Sequence, residues 1–290
     1  AGGSGGSESA DSPDQTDPGT ATSKETATPT DPGPTLSEFE YPEGATRDGI
    51  DSAALYSTHE STVTGAGSLT LDRDTTQTFD GDEYSETETN EFGPAGIYRE
   101  IDESETTEAV WSPSSEDLAY VQLSSGFDTV YRIDNQAPIS NEVTGLFDMR
   151  RILESATWGE ATDVVAAGDA YAVTYEATGV SDSQAIGYGA TIESFDATVS
   201  VTQSGYVREL EYNITRNRDG RTNTTDVTAT ISSVGETTVE APEWSDTAAE
   251  NGIQVTSSLT DAGTAYRLEM VNGDEIPMSA RVAVRDQSGR

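Results

Sequence analysis

Cysteine is absent from the 290 residues, which excludes a disulfide framework and any thiol nucleophile. Histidine occurs once, at His59, too few for a zinc site that has no thiolate to draw on. Lysine also occurs once, at Lys24, so 14 of the 15 cationic side chains are arginine. There is no run of about 18 apolar residues, the length a membrane-spanning helix needs. No G-x-S-x-G elbow occurs either, so the hydroxyls of Ser57 and Ser61 near His59 do not read as a hydrolase nucleophile; His59 reads as a packed or capping residue.

What the chain has instead is acid. Fifty-three Asp and Glu set a formal net charge of −38. Self-repulsion on that scale keeps a protein soluble but opposes its compact state. In molar salt the Debye length is about 3 Å and most of the repulsion is screened. With lysine nearly gone and threonine abundant, the composition implies a haloarchaeal protein. A basic face for phosphate is missing at this charge balance, so nucleic acid is not an expected partner. The cluster Asp80, Asp82 and Glu83 in "FDGDE" lacks the twelve-residue spacing of a calcium loop, and acids this abundant cluster without function. Carboxylate pairs for glycoside hydrolysis can be drawn anywhere in such a chain and mean nothing here. Neither a metal, a cofactor nor a catalytic residue is expected.

Composition divides the chain. In residues 1–35, Gly, Ser, Thr and Pro supply 23 positions, and no large apolar side chain occurs before Leu36. Such a segment buries too little to offset its ordering entropy, so 1–36 is expected to be a disordered tether. From about residue 37 to 244 a folded domain is expected, and after it a short β extension over 245–290 with three candidate strands and turns at Asp261-Gly263 and Asn272-Asp274.

Within the domain, apolar residues mostly recur with period two, the mark of strands buried on one face. Leu69 and Leu71, then Ala119, Val121 and Leu123, fall on one side of their segments. So do Tyr171, Val173 and Tyr175, then Phe195, Ala197, Val199 and Val201, and Leu210, Tyr212 and Ile214. Asp219-Gly220 marks a hairpin between two long strands. Two stretches have helical spacing instead: Asp48 to Ser61 with Asp48 as N-cap, and Val143, Leu146, Phe147, Met149, Ile152 and Leu153 in "NEVTGLFDMRRILES". The three Trp and 12 Tyr are scattered and read as packing or rim residues. The sequons at Asn213, on a polar strand face, and Asn223, read as a turn position, are expected to be accessible to glycosylation.

The end of this region, "ISSVGETTVEAPEW", carries Ile231, Val234, Gly235, Val239 and Pro242, then Glu243 and Trp244. With the order helix, strands, helix, long hairpin strands, it resembles the LolA/LppX-like lipoprotein-carrier superfamily over roughly residues 45–244. The stretch would then be the closing hairpin of the sheet, stopped by Pro242, which lacks a donor. The resemblance implies an α+β, mostly β fold: a strongly curved antiparallel half-barrel wrapped around two or more helices. It also implies a non-enzymatic role, binding a hydrophobic or lipid-like ligand. Candidate cavity residues are Leu69, Leu71, Val121, Leu123, Val173, Val199 and Leu210 from the strands, with Leu146, Phe147 and Leu153 from the helix. "AGGSGG" with its Ser/Thr/Pro spacer resembles the segment just after the lipidated Cys of haloarchaeal lipoproteins, which places that Cys just before Ala1 and the domain outside the cell membrane. The alternative is a structural or adhesive surface protein working through protein contacts, its interior filled by its own side chains.

Overall fold

The computed structural model describes residues 33–126, 128–135, 146–168, 170–260 and 266–273. The tether up to residue 32, Val143, the Asp261-Gly263 turn and the third candidate strand of the extension lie outside them. The chain builds an open, curved antiparallel sheet of 11 strands, wrapped on one face around helices. It opens with a two-residue hairpin, β1 (Ala45–Thr46) and β2 (Gly49–Ile50), and helix α1 (Ser52–Ala66). A six-strand meander comes next: β3 (Leu69–Phe79), β4 (Asp82–Gly93), β5 (Gly96–Glu103), β6 (Thr106–Pro113), β7 (Ala119–Ser125) and β8 (Asp128–Asp134). Helix α2 (Leu146–Ser155) leads to β9 (Ala156–Ala167) and β10 (Ala170–Val180), the short α3 (Ser183–Gly187), then β11 (Thr191–Thr202), β12 (Val207–Arg218) and β13 (Arg221–Ser232). The two meanders join where β13 pairs with β3, giving the order β8-β7-β6-β5-β4-β3-β13-β12-β11-β10-β9.

The first helix starts three residues later than the sequence suggests. Residues 45–50 are spent on the β1–β2 hairpin, which holds Asp48 in its turn and Ile50 in a strand. Asp51 is the cap, its carboxylate accepting from the Ala54 N–H at 3.1 Å, and Gly67 closes the helix in the left-handed region at φ 73°. Leu55, His59 and Val63 then fall one turn apart on the buried stripe.

The main core lies between this stripe, Met149, Ile152 and Leu153 of α2, and the inward side chains of the sheet, among them Leu69, Leu71, Val173, Tyr175, Val199, Leu210 and Ile214. Tyr175 is fully buried, and its hydroxyl donates to the Thr46 carbonyl at 2.8 Å, pinning the β1–β2 hairpin to the sheet. A smaller cluster, Val110, Ala119 and Val121 with Leu123 packed against it, sits on the other meander.

The stretch after β13 does not close the sheet as a hairpin. It leaves the ladder after Ser232 and crosses to the opposite face: the Thr237 hydroxyl meets that of Thr70 at 3.0 Å, and Thr70 points away from Leu69 and Leu71. Val239 is buried there beside Gly93, where any β-carbon would clash with it. Trp244 starts a helix, α4 (Trp244–Asn251), which packs on β7 and β8. β13 already has β12 on one side and β3 on the other, so the segment after it finds no free edge on which to close a hairpin. Beyond it, β14 (Gln254–Leu259) and β15 (Tyr266–Asn272) form a separate hairpin, joined to the main sheet by one parallel bridge from Ile253 to Arg132 on the β8 edge. The β9 edge, at the other end, carries three register shifts against β10 and is met by the β1–β2 hairpin, whose Arg47 carbonyl accepts from the Ala161 N–H at 2.9 Å.

Candidate functional site

The strands β12, β13 and β3 are longer than the helices that cover them. Along β12 the inward side chains run Leu210, Tyr212, Ile214, Arg216, Arg218, and their register partners on β13 run Ala229, Val227, Thr225, Asn223, Arg221. On β3 the same face reads Leu71, Arg73, Thr75, Gln77, Phe79. The face therefore turns from aliphatic to arginine and hydroxyl as the strands run past α2 and α3 toward their hairpin tips. Between this end of the sheet, Arg151 of α2 and the residues just after α3 lies a cavity of about 1020 Å³.

Five of the 14 arginines line it: Arg73, Arg151, Arg216, Arg218 and Arg221. Among the described residues the lining carboxylates are Glu86 and Asp219 alone. In a chain of net charge −38, this is a local inversion of sign. Phe79, Tyr188, Tyr212 and Val227 supply apolar wall, and Phe79 and Tyr188 stand exposed at the mouth.

The arginines are not equivalent. Arg73 is neutralised, bridged to Glu86 at 3.3 Å and to Glu88. Glu88, buried on the same face, is shared with Arg99 at 2.8 Å, so a guanidinium–carboxylate–guanidinium row crosses the middle of the sheet. Beside it Asn90 is fully buried with neither amide atom hydrogen-bonded. Arg221 reaches Asp80 at only 3.8 Å, both exposed. Arg216 differs. Its Nε donates to the Ile186 carbonyl at 2.8 Å and a terminal nitrogen to the Thr225 hydroxyl at 3.1 Å, all neutral partners. Burial pushes its pKa below the usual arginine range, and the nearby Arg151 cation adds to this. Both guanidiniums lie over one ring, Tyr188, with Arg151 5.0 Å and Arg216 5.5 Å from its centroid. Tyr188 caps α3 at φ 51°, a conformation bulky residues rarely adopt; the strained cap is what aims its ring across the two cations.

The β12–β13 tip is the turn its sequence announces: Asp219 and Gly220 both have positive φ, and Asn217 accepts from the Gly220 N–H. Asn223 is not in that turn. It lies within β13, lines the cavity, and accepts from the Thr225 hydroxyl at 3.2 Å. The turn is two residues long, so the ladder resumes at Arg221 and takes Asn223 with it. Asn213 lies on β12, its amide donating to the Asp226 carboxylate.

Of the side chains expected to line a cavity, Leu69, Leu71, Leu153, Val173, Val199 and Leu210 belong to the main core, and Val121 and Leu123 to the smaller cluster. None of these eight borders the arginine-lined space. Leu146 and Phe147 fall within α2, with their side chains outside the described residues. His59 is fully buried under α1, away from the cavity lining; its Nδ1 accepts from the Val207 N–H at 3.1 Å, and burial lowers its pKa to about 4, so it is neutral. The arginines are easily passed over in the sequence because "RNRDGRTNTT" looks like a polar turn. The available signal is parity: Arg216 and Arg218 continue the even-numbered series of Leu210, Tyr212 and Ile214.

No protein-family model matches the sequence, and no curated protein does. Among solved structures the chain is similar to the lipoprotein LppX of Mycobacterium tuberculosis, at 12% identity and TM-score 0.30, covering 64% of this chain and 98% of that one. A DUF1329 family protein from Desulfovibrio piger matches at 11% identity and TM-score 0.25, covering 67% and 95%. A LolA superfamily protein from Nitrosomonas europaea matches at 10% identity and TM-score 0.22, covering 67% and 96%. Likeness at this level transfers no ligand and no activity.

Proposed function

We propose that this protein is a non-enzymatic binding protein that holds a hydrophobic or lipid-like ligand between its sheet and helices. The observation that carries this is the cavity of about 1020 Å³ left where the strands outrun α2 and α3. Its size is that of sites that enclose small organic ligands, of order 300–1,000 Å³. The interior around α1 and α2 is packed solid, so the ligand belongs at the hairpin-tip end of the half-barrel rather than among Val173, Val199 and Leu210. Exposed Phe79 and Tyr188 give an apolar chain a surface to bury, at about 25 cal/mol per Å². The Gly/Ser/Thr/Pro-rich N-terminal region fits a tether from a lipidated Cys preceding Ala1, which would hold the domain outside the cell membrane.

The test is native mass spectrometry of protein purified from a high-salt host, with organic extraction of the same sample. A stoichiometric co-purifying amphiphile is expected, and Thr75→Trp, which fills the cavity floor from a strand position that tolerates an aromatic, is expected to exclude it. A clean apo mass with unchanged circular dichroism, and no uptake of added acyl-chain probes, would sink the proposal.

A further inference from the structure

We infer that the ligand is an amphiphile with an anionic head group, which seats on Arg151, Arg216 and Arg218 with its apolar part against Phe79 and Tyr212; this rests on the binding role proposed above. Four arginines elsewhere in the described chain are matched with acid: Arg73 and Arg99 with Glu88, Arg132 with Asp134 at 2.8 Å, Arg150 with Glu154 at 2.9 Å. A protein holding 53 carboxylates has no shortage of partners to place beside Arg216. It has placed a carbonyl, a hydroxyl, an aromatic ring and a second guanidinium there. Arg216 is a half-buried cation whose hydrogen-bond partners are neutral, and an anion seated against it supplies the charge that those partners do not. Phosphate, sulfate and carboxylate all present the two coplanar acceptors that a guanidinium fork takes up. A cationic or metal ligand meets the wrong sign.

The apolar part of the inference comes from the wall beside the arginines: Phe79, Tyr188, Tyr212 and Val227 line the same cavity, and Phe79 and Tyr188 are exposed. An attached chain adds affinity independent of charge by covering Phe79, which is 42% exposed, and the Tyr212 side of the wall. Arg218, exposed on the last pair of the β12–β13 ladder, marks the outer limit of the head-group position.

Isothermal titration of the whole chain with octyl phosphate, octyl glucoside, octyltrimethylammonium and inorganic phosphate separates these contributions, in salt that preserves the circular dichroism spectrum. Octyl phosphate is expected to bind at least about tenfold more tightly than octyl glucoside, the effect of one charge-assisted hydrogen bond. Arg216→Gln and Arg218→Gln are each expected to erase most of that preference while leaving octyl glucoside unchanged. Arg216→Lys, which keeps charge but not the fork, is expected to fall between. If Arg216→Gln does not fold, the exposed Arg218→Gln and the wild-type panel still decide. Equal affinity for phosphate and glucoside heads overturns the anionic head group and leaves the binding role standing. Inorganic phosphate binding as tightly as octyl phosphate overturns the amphiphile in favour of a free anion. Failure of every octyl probe takes down the binding role itself.

Discussion

The two ends of the inward sheet face are made from the same strands and obey the same alternation, yet one is solid and the other open. At the α1 end, Leu69, Val173, Tyr175, Val199 and Leu210 meet Leu55, Ile152 and Leu153, all buried to within 2%. At the hairpin-tip end, two or three steps further along β12, β13 and β3, the inward positions are Arg216, Arg218, Asn223, Thr225, Thr75 and Gln77. The difference teaches that period two specifies which way a side chain points, and residue type then decides whether that space closes. Aliphatic side chains close it at crystal-like density. Guanidiniums, each needing polar partners and repelling the next, prop it open.

The comparison breaks hardest at the solid end. Leu153→Ala removes a fully buried side chain from beneath α2 and is expected to lower unfolding free energy by roughly 3–5 kcal/mol, read from a denaturant midpoint. A loss below about 1 kcal/mol would mean that the interior collapses freely and is no more solid than the cavity. The next effect is protonic. His59 has its pKa lowered to about 4 by burial, against about 6.5 unfolded. Above pH 6.5 neither state is protonated there. As pH falls toward 4 the unfolded chain takes up a proton that the folded one refuses, so stability is lost, by about 3 kcal/mol in total. The 53 carboxylates add their own slope, so the measurement is the difference between wild type and His59→Asn, whose amide oxygen replaces Nδ1 as acceptor for Val207. Parallel stability curves between pH 4 and 6.5 would show that His59 is hydrated and the core around α1 loose. The smallest effect is at the open end: Arg218→Gln, exposed and without an ion pair among the described residues, is expected to move stability by less than about 0.5 kcal/mol. A large change there would mean that the arginine end is itself a structural element.

Much of the architecture is legible in the sequence. Alternation over residues 69–71, 119–123, 171–177, 195–201 and 206–214 locates real strands, and the one-sided pattern fixes an antiparallel sheet whose apolar face α1 and α2 cover. Asp219-Gly220 fixes one hairpin. The elements that are hard to read share a cause. The short α3 and α4 bury only a few side chains each and leave no apolar period. Asn223 takes the look of a turn from its polar neighbours, whereas its distance from the two-residue turn puts it in the strand. The arginine face is invisible to a search for inward residues that counts only apolar ones. Threonine abundance makes matters worse, since Thr75, Thr225 and their neighbours fit a solvated surface and a polar cavity wall equally well.

Both edges of the 11-stranded sheet are obstructed. On β8, Ile253 takes the Ile133 N–H at 3.0 Å and gives its own N–H to the Tyr131 carbonyl at 2.9 Å; on β9, register shifts and the Arg47 carbonyl interrupt the ladder. An open sheet this wide is otherwise a template for polymerisation, each free edge able to recruit another copy's strand. The segment leading into the C-terminal hairpin thus occupies part of the β8 edge, and the β1–β2 hairpin part of the β9 edge, each taking up backbone groups that a strand from another chain would need there.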